Sequence, residues 1–333
     1  PGTLGPAANF SAYSGFTAVI ARASSAINGF AANKFTVDTT EMQNAPDSTA
    51  WSIRQTANTL ELVYVPAVAE DTNVANWPNS LGITFCGYQN EAQLTNFPAL
   101  IVLSKNALNG SNMYAMLSNP ANGYDLRFAT TDAVPTLLSF EVESWNTNGD
   151  SHVWVRIPTL DPGTKIRMLG GNTTQTNGWP ARATDGSTWS QFYIGVWHMG
   201  QVDAQDSTSN RIHGVGLNGN TVQSIGKIGA GGNFDGVNDY ITFGAPSQVN
   251  TNTQHTIEAW FKPPTSGSSR TLMGAGVSGV GRWAFRQMTT GMRFTTLGVK
   301  DHDMATTVSV GAWQHTAMTY TPATSAIIYQ NGV

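Results

Sequence analysis

TIEAWF, at residues 256–261, has the pattern that decides the fold class. In an extended chain Ile257, Ala259 and Phe261 fall on one side, and the residues between them fall on the other. The stretch RWAFR at residues 282–286 alternates in the same way, with its two aromatic residues on one face and its two arginines on the other. A sheet with one buried and one wet face requires this period of two, so both stretches predict β-strands.

Turn signals punctuate the chain outside these strands. Asn-Gly and Asp-Gly pairs favour the tight turns that join antiparallel strands. They stand at Asn109-Gly110, Asn122-Gly123, Asn148-Gly149, Asp185-Gly186, Asp235-Gly236 and Asn331-Gly332. Only residues 18–27 could form a short helix, and they fit a strand equally well. The pattern predicts an all-β, multi-domain protein built of β-sandwiches or jelly rolls.

Composition supports this fold class and excludes several functions. Charged residues make up 11% of the 333 residues and hydrophobic residues 40%, which is enough apolar mass for a core. The net charge is -4 and no basic cluster is present, so a nucleic-acid partner is not expected. No apolar run approaches the roughly 18 residues of a membrane span.

Cysteine usage and the first residue bear on location. Cys86 is the single cysteine, so no intrachain disulfide can form, and in a strand-like run it is expected to be a small buried residue. Such scarcity is typical of bacterial secreted proteins. The chain starts at Pro1, which indicates a mature or trimmed piece of a longer protein. We therefore expect a secreted, cell-surface protein.

Three segments are predicted: residues 1–74, 76–178 and 187–333. Within the second, a set of stretches resembles a bacterial extracellular β-domain, domain of unknown function 2341. The matching stretches are Leu94–Leu100, Gly123–Phe128, Phe140–Asn146, His152–Pro158 and the closing Gly170-Gly171-Asn172. That family accompanies sugar-binding or adhesive modules, so the resemblance implies a β-sandwich without a known catalytic residue.

The third segment resembles the laminin-G-like, concanavalin-A-like jelly roll of bacterial surface proteins. The matching stretches are Val196–Met199, Asp206–Thr208, Phe234–Ile241, Thr256–Lys262 and Trp313–Tyr320. In that family further strands follow the Asn331-Gly332 hairpin, so the jelly roll is expected to be truncated. The first segment, through Phe35–Thr39 and a Leu-rich strand ending at Pro66, resembles the small β region of autotransporter-like proteins.

Carboxylates are sparse where a hydrolase would need them. Concanavalin-A-like glycosidases use two carboxylates facing one cleft, and Glu258 is the only glutamate of the third segment. Glu141 and Glu143 share a strand face in the second segment, where a solvated face is expected. Two matches to Gly-x-Gly-x-x-Gly, starting at Gly214 and Gly274, lie among β-turn signals rather than before a helix. A non-enzymatic protein is predicted.

Two kinds of ligand remain as expectations. Structural calcium is one, because it binds carboxylate and amide oxygens; its candidate ligands are Asp206, Asp235, Asn238 and Asp239, although Asx-turns explain the same turn residues without metal. Sugar is the other, because aromatic side chains stack on sugar rings; the candidates are Trp179, Trp189 and Tyr193. His198 and His315 are expected to pack or hydrogen-bond inside the sandwich.

These features favour an extracellular module for binding or adhesion, with glycan or matrix as the partner. The alternative is a structural subunit of an extracellular fibre or surface layer, in which neighbouring chains self-associate by exchanging strands. The truncated jelly roll motivates that alternative. An accessory part of a secreted glycosidase is a third hypothesis.

Overall fold

A computed structural model describes most of the chain. The described residues are 16–30, 35, 51–56, 58–64, 70–89, 92–106, 112–175, 178–189, 192–200, 204–219, 221–223, 225–244, 252–264, 269–275, 282–322 and 324–333. Within these residues the regular structure is antiparallel strand apart from three short 3-10 turns, at Val74–Asn76, Met113–Met116 and Ala181–Ala183. The all-β fold class is confirmed.

Twenty strands are described. In chain order they are β1 (Phe16–Arg22), β2 (Trp51–Thr56), β3 (Thr59–Tyr64), β4 (Asn79–Thr84), β5 (Leu94–Ser104), β6 (Arg127–Thr130), β7 (Phe140–Ser144), β8 (Asp150–Leu160), β9 (Lys165–Gly170), β10 (Gly214–Leu217), β11 (Thr221–Gln223), β12 (Gly231–Asn233), β13 (Tyr240–Phe243), β14 (His255–Phe261), β15 (Arg270–Ala275), β16 (Trp283–Met288), β17 (Gly291–Thr296), β18 (Lys300–Ala305), β19 (Gln314–Thr321) and β20 (Ser325–Gln330).

The strands fall into two compact units. The first unit holds the sheets β1-β3-β2 and β4-β9-β6, and the second holds β5-β8-β7, β10-β13, β11-β12, β14-β19-β20 and β15-β16-β17-β18. Strands β5, β7 and β8 thus cluster with the C-terminal strands, whereas β4, β6 and β9 cluster with the N-terminal ones. The domain boundaries expected from the sequence stay predictions.

The first unit is organised around a buried cation. Arg127 on β6 is 2% exposed; its Nε lies 2.8 Å from the Glu70 carboxylate and its Nη2 donates to Gln175 Oε1 at 3.0 Å. The guanidinium also lies over the Trp77 ring, 5.6 Å from its centroid. A buried cation needs such partners. Cys86, which follows β4, is exposed, so the expectation of a buried thiol was wrong: the chain leaves the sheet at Thr84.

Strand β14 in the second unit confirms the predicted period of two. Along β14 the exposed side chains alternate with partly buried ones, and Ile257, Ala259 and Phe261 lie on the inner side. On β16, Trp283 and Phe285 are buried as expected, but Ala284 between them is also buried and Arg286 is only partly exposed, so the wet face expected for residues 282–286 is largely covered. A core joins the sheet β14-β19-β20 to the sheet β15-β16-β17-β18. Its buried members are Trp283, Phe285, Met292, Phe294, Met318, Tyr320 and Ile328.

The predicted turns behave as their residues require. Asn331 and Gly332 have φ of 52° and 87°, and Gly123, Gly186 and Gly236 also have positive φ. Asn109-Gly110 lies outside the described residues. Residues 18–22 belong to β1, so the ambiguous stretch begins as a strand.

We expect Gly291→Ala to destabilise the second unit by about 3 kcal/mol. Gly291 has φ of 145°, and a Cβ there would lie 2.0 Å from the Met304 carbonyl oxygen on the neighbouring strand β18. Denaturant unfolding measures the change. Gly244→Ala is the matched control, since its Cβ would meet no atom within 4 Å. Equal stability of the two variants would contradict the register of β17 and β18.

Candidate functional site

A buried polar cluster of the second unit is built on strand β7. Glu141 and Glu143 are two residues apart and point to the same face, where both meet His198. The Glu143 Oε2 atom lies 3.2 Å from His198 Nδ1, and Glu141 Oε1 lies 3.4 Å from His198 Nε2. The side chains are 6%, 20% and 17% exposed for Glu143, Glu141 and His198. One imidazole therefore bridges two carboxylates in a largely dry environment.

Two tryptophans complete this arrangement, which we call the His198 cluster: Glu141, Glu143, Trp154, Trp189 and His198. Trp154, opposite Glu141 on β8, donates through Nε1 to Glu143 Oε2 at 2.7 Å. Trp189 donates through Nε1 to Glu141 Oε2 at 2.6 Å. The two indoles lie 5.3 Å apart. The solvated face expected for Glu141 and Glu143 was wrong, because indoles and an imidazole cover both carboxylates.

The carboxylates make His198 a cation. Burial lowers its pKa, but the neighbouring carboxylates of Glu141 and Glu143 outweigh burial and raise the pKa of His198 to about 9. Burial likewise raises the pKa of Glu143, but His198 and the Trp154 N–H bring that pKa below its ordinary value of 4.5. At neutral pH His198 is thus positively charged, and the charges of Glu141 and Glu143 stabilise it.

The hydrogen bonds of the cluster hold several chain segments together. The oxygens of Glu141 accept from Trp189 and from the Ser207 hydroxyl, at 2.6 and 2.5 Å, and Glu143 accepts from Trp154. A pocket of about 210 Å³ beside the cluster is lined in part by Glu141, Ser207 and His213. Glu141 therefore belongs both to the cluster and to the lining of that pocket.

Asp206, a candidate calcium ligand, anchors the segment that carries His198. Its carboxylate is 1% exposed and accepts from the backbone N–H groups of Val196, Thr208 and Ile212 at 3.0, 2.9 and 2.8 Å. It also accepts from the Thr208 hydroxyl at 2.9 Å. The four donors belong to Val196, Thr208 and Ile212, so Asp206 holds these parts of the segment before β10 together.

The other candidate calcium ligands form one exposed turn. Asp235 Oδ1 accepts from the N–H groups of Val237 and Asn238 at 2.7 and 3.3 Å, and Asp239 Oδ2 accepts from Asp235 N at 2.9 Å. This is the Asx-turn arrangement. Over the described ranges, no group of three or more His, Cys, Asp or Glu side chains is placed to hold a metal ion, so Asp206 does not join this turn. Calcium at the turn stays a prediction.

The structure brings two of the three predicted sugar-stacking residues together. Trp189 and Tyr193 meet edge to face with ring centroids 5.4 Å apart. Trp189 is 7% exposed, and burial and the charge of Glu258 raise the pKa of Tyr193. Trp179 belongs to the first unit, where it packs edge-on against Tyr124 at 5.3 Å. Sugar stacking on these three residues stays a prediction.

A second aromatic surface lies on the sheet β14-β19-β20, on the side away from the core. Trp260 on β14 and Tyr329 on β20 are 40% and 37% exposed. In the register Trp260 is opposite His315, whose ring lies 5.3 Å away, and Ala317 stands between Glu258 and Tyr329. Glu258 Oε2 lies 3.5 Å from His315 Nε2. We call this surface the outer face.

The residues of the outer face were not predicted as a binding site from the sequence, although the alternation along β14 already indicated that two of them are exposed. Glu258 and Trp260 share the face of β14 opposite to the apolar alternation, so their exposure follows from the strand period. The alternation did not show that His315 and Tyr329 would lie beside them, because that depends on which strands pair. His315 was expected inside the sandwich, but its side chain lies on the outer face and is 26% exposed.

Two family models match the chain. Residues 122–195 match a domain of unknown function, DUF2341, and residues 235–333 match the concanavalin A-like lectin/glucanases superfamily. Both resemblances and their order along the chain are confirmed, and with them the jelly-roll fold of the C-terminal part. No curated protein and no solved structure matches the chain. The resemblance of residues 1–74 to autotransporter-like proteins stays a prediction. No helix in the described ranges has the length and apolar character of a membrane span.

We expect His198 to stabilise the fold in a pH-dependent way. Because its folded-state pKa is raised from 6.5 to about 9, its contribution is fully present below pH 6.5 and is lost as the pH rises through 9. The shift corresponds to about 3 kcal/mol. At pH 6 the lowered pKa of Glu143 keeps that partner ionised.

The measurement is the free energy of unfolding of the native chain and of His198→Gln at pH 6 and pH 10. The gap between the two proteins should be large at pH 6 and shrink at pH 10. Glu143→Gln should reduce the pH dependence, since it removes one of the two carboxylates. A gap that is the same at both pH values would rule out a charged His198.

Proposed function

We propose that this chain, in which a DUF2341 domain precedes a concanavalin A-like domain, is a non-enzymatic extracellular protein that binds glycan or matrix through the outer face. The observation that carries the proposal is that Trp260 and Tyr329 are both exposed on the same face of the sheet β14-β19-β20, in the concanavalin A-like domain. Aromatic rings offer apolar faces to the C–H groups of a sugar ring, and neighbouring polar groups fix its orientation.

The residues around the two rings suit a hydroxyl-rich ligand. Glu258 is 61% exposed and can accept hydrogen bonds from sugar hydroxyls, and His315 beside it offers a second polar group. Ala317, between Glu258 and Tyr329 in the register, leaves room above the sheet because its side chain is a single methyl group. The outer face thus combines stacking surfaces and hydrogen-bonding groups, as a binding platform requires.

The carboxylates support binding rather than hydrolysis. A glycosidase needs two carboxyl groups that both reach one glycosidic bond. Glu258 contacts His315 on the outer face, whereas the two acids of β18, Asp301 and Asp303, both pair with Arg293 on β17, at 2.6 Å. Glu141 and Glu143 are enclosed in the His198 cluster. These arrangements favour a role without catalysis.

A structural subunit is the second candidate, and the edge of β20 favours it. Within the described strands β20 pairs only with β19, and its exposed residues include Ile327, at 52%, and Tyr329. An unpaired strand edge next to apolar side chains can accept a strand from another chain. This candidate also fits the low fraction of charged residues.

Trp260→Ala and Tyr329→Ala should each weaken glycan binding by about tenfold or more, because each removes one stacking surface. The measurement is a glycan array with the native chain, followed by titration of the best ligand with each variant. Phe97→Ala is the matched control: Phe97 is 39% exposed, but it lies on β5 in another sheet. Retained binding by both outer-face variants would refute this site.

If neighbouring chains exchange strands at β20, light scattering after size-exclusion chromatography should show multimers that grow with concentration. Ile327→Lys on the exposed face of β20 should shift them to monomer, because charged residues on edge strands oppose pairing. A monomer at all concentrations would exclude assembly through this edge.

A further inference from the structure

We propose that the outer face selects anionic saccharides, such as polymers that carry uronate or sulfate groups. This inference rests on the proposed function and names its ligand class. Its basis is a pair of lysine side chains at one end of the sheet β14-β19-β20. Lys227 lies over the Trp260 ring, and Lys262 lies over the Trp313 ring.

Strand register places these groups side by side. Trp260 is opposite His315 and Phe261 is opposite Gln314, so continuing the antiparallel pairing sets Lys262 opposite Trp313. Lys262 Nζ lies 5.4 Å from the centroid of the Trp313 ring, and Lys227 Nζ lies 4.9 Å from that of Trp260. Each indole thus has its own ammonium group.

The two lysines give the outer face more positive than negative charge, although the face also carries Glu258. Both are exposed, and in the part of the chain that the structure describes no carboxylate forms an ion pair with either. The acid on this face, Glu258, contacts His315 instead. The chain contains only six lysines and has a net charge of -4, so two lysines on one patch form a local exception to its weak charge. Charge complementarity therefore favours an anion.

An ammonium group over an indole can leave the ring and bind an anionic group of a ligand instead. At an exposed site the attraction between an ammonium group and a ring is weak, and a hydrogen bond from that ammonium to an ionised acceptor is stronger. A carboxylate or sulfate arriving at this face draws the ammonium upward and uncovers the ring beneath it. The uncovered indole then packs against the sugar that carries the anion. An anionic saccharide thus gains both the ion pair and the stacking contact, whereas a polyanion without sugar rings gains only the ion pair.

The test is binding of the full chain to polygalacturonate and to its methyl ester, which carries the same sugar without the charge. Polyglutamate serves as a polyanion without sugar. Lys227→Gln and Lys262→Gln should each weaken binding to polygalacturonate by about fivefold, the value of one exposed ion pair. Lys165→Gln is the matched control, since Lys165 is an exposed lysine on β9 in the other unit.

The proposal predicts tighter binding to polygalacturonate than to the methyl ester or to polyglutamate, with losses in both lysine variants and in Trp260→Ala. Equal binding of both pectins with no effect of the lysine variants would overturn the anion preference and leave the proposed function standing. Equal binding of polyglutamate, insensitive to Trp260→Ala, would overturn it as plain charge attraction. If no glycan in the array or in this set binds, both proposals fail.

Discussion

The second unit depends on one buried charge, the imidazolium of His198 held between Glu141 and Glu143. The carboxylates come from β7 and the indole that covers Glu143 comes from β8, whereas His198 comes from the segment that leads to β10. Gly229 packs so closely that a Cβ there would lie 2.9 Å from Glu143 Oε1, so the loop before β12 meets the same cluster. Removing one member of such a set leaves the others buried without their partners, which is why it fixes the path of the chain.

Asp206 extends this constraint along the chain. Its four hydrogen-bond donors lie between Val196 and Ile212, and Ser207 beside it donates to Glu141. The described residues between Trp189 and β10 have little regular structure, and two acidic centres order them in place of a strand ladder. Both centres are engaged by the protein, whereas the outer face leaves Trp260, Tyr329 and Glu258 available. The stabilising groups and the groups of the proposed binding surface are therefore separated within one unit.

The sequence was informative where local period decides the outcome. The alternation in residues 256–261 and 282–286 predicted strands and their inner faces, and the Gly in Asn331-Gly332 marked a turn. The sequence was uninformative where the surroundings of a side chain depend on residues far away along the chain. The spacing of Glu141 and Glu143 showed a shared face, but not that His198 and Trp189 would cover it. The burial predicted for Cys86 was wrong for the same reason. The grouping of Trp260, His315 and Tyr329 was not predicted either, because it arises from the pairing of β14, β19 and β20.

A crystal structure of the chain with a bound oligosaccharide tests the central claim most directly. The account predicts a sugar ring packed on Trp260 or Tyr329, with hydroxyls near Glu258 and acidic groups near Lys227 or Lys262. A saccharide seated instead in the pocket beside Ser207 and His213, or on the Asp235 turn, with the outer face empty, would contradict it.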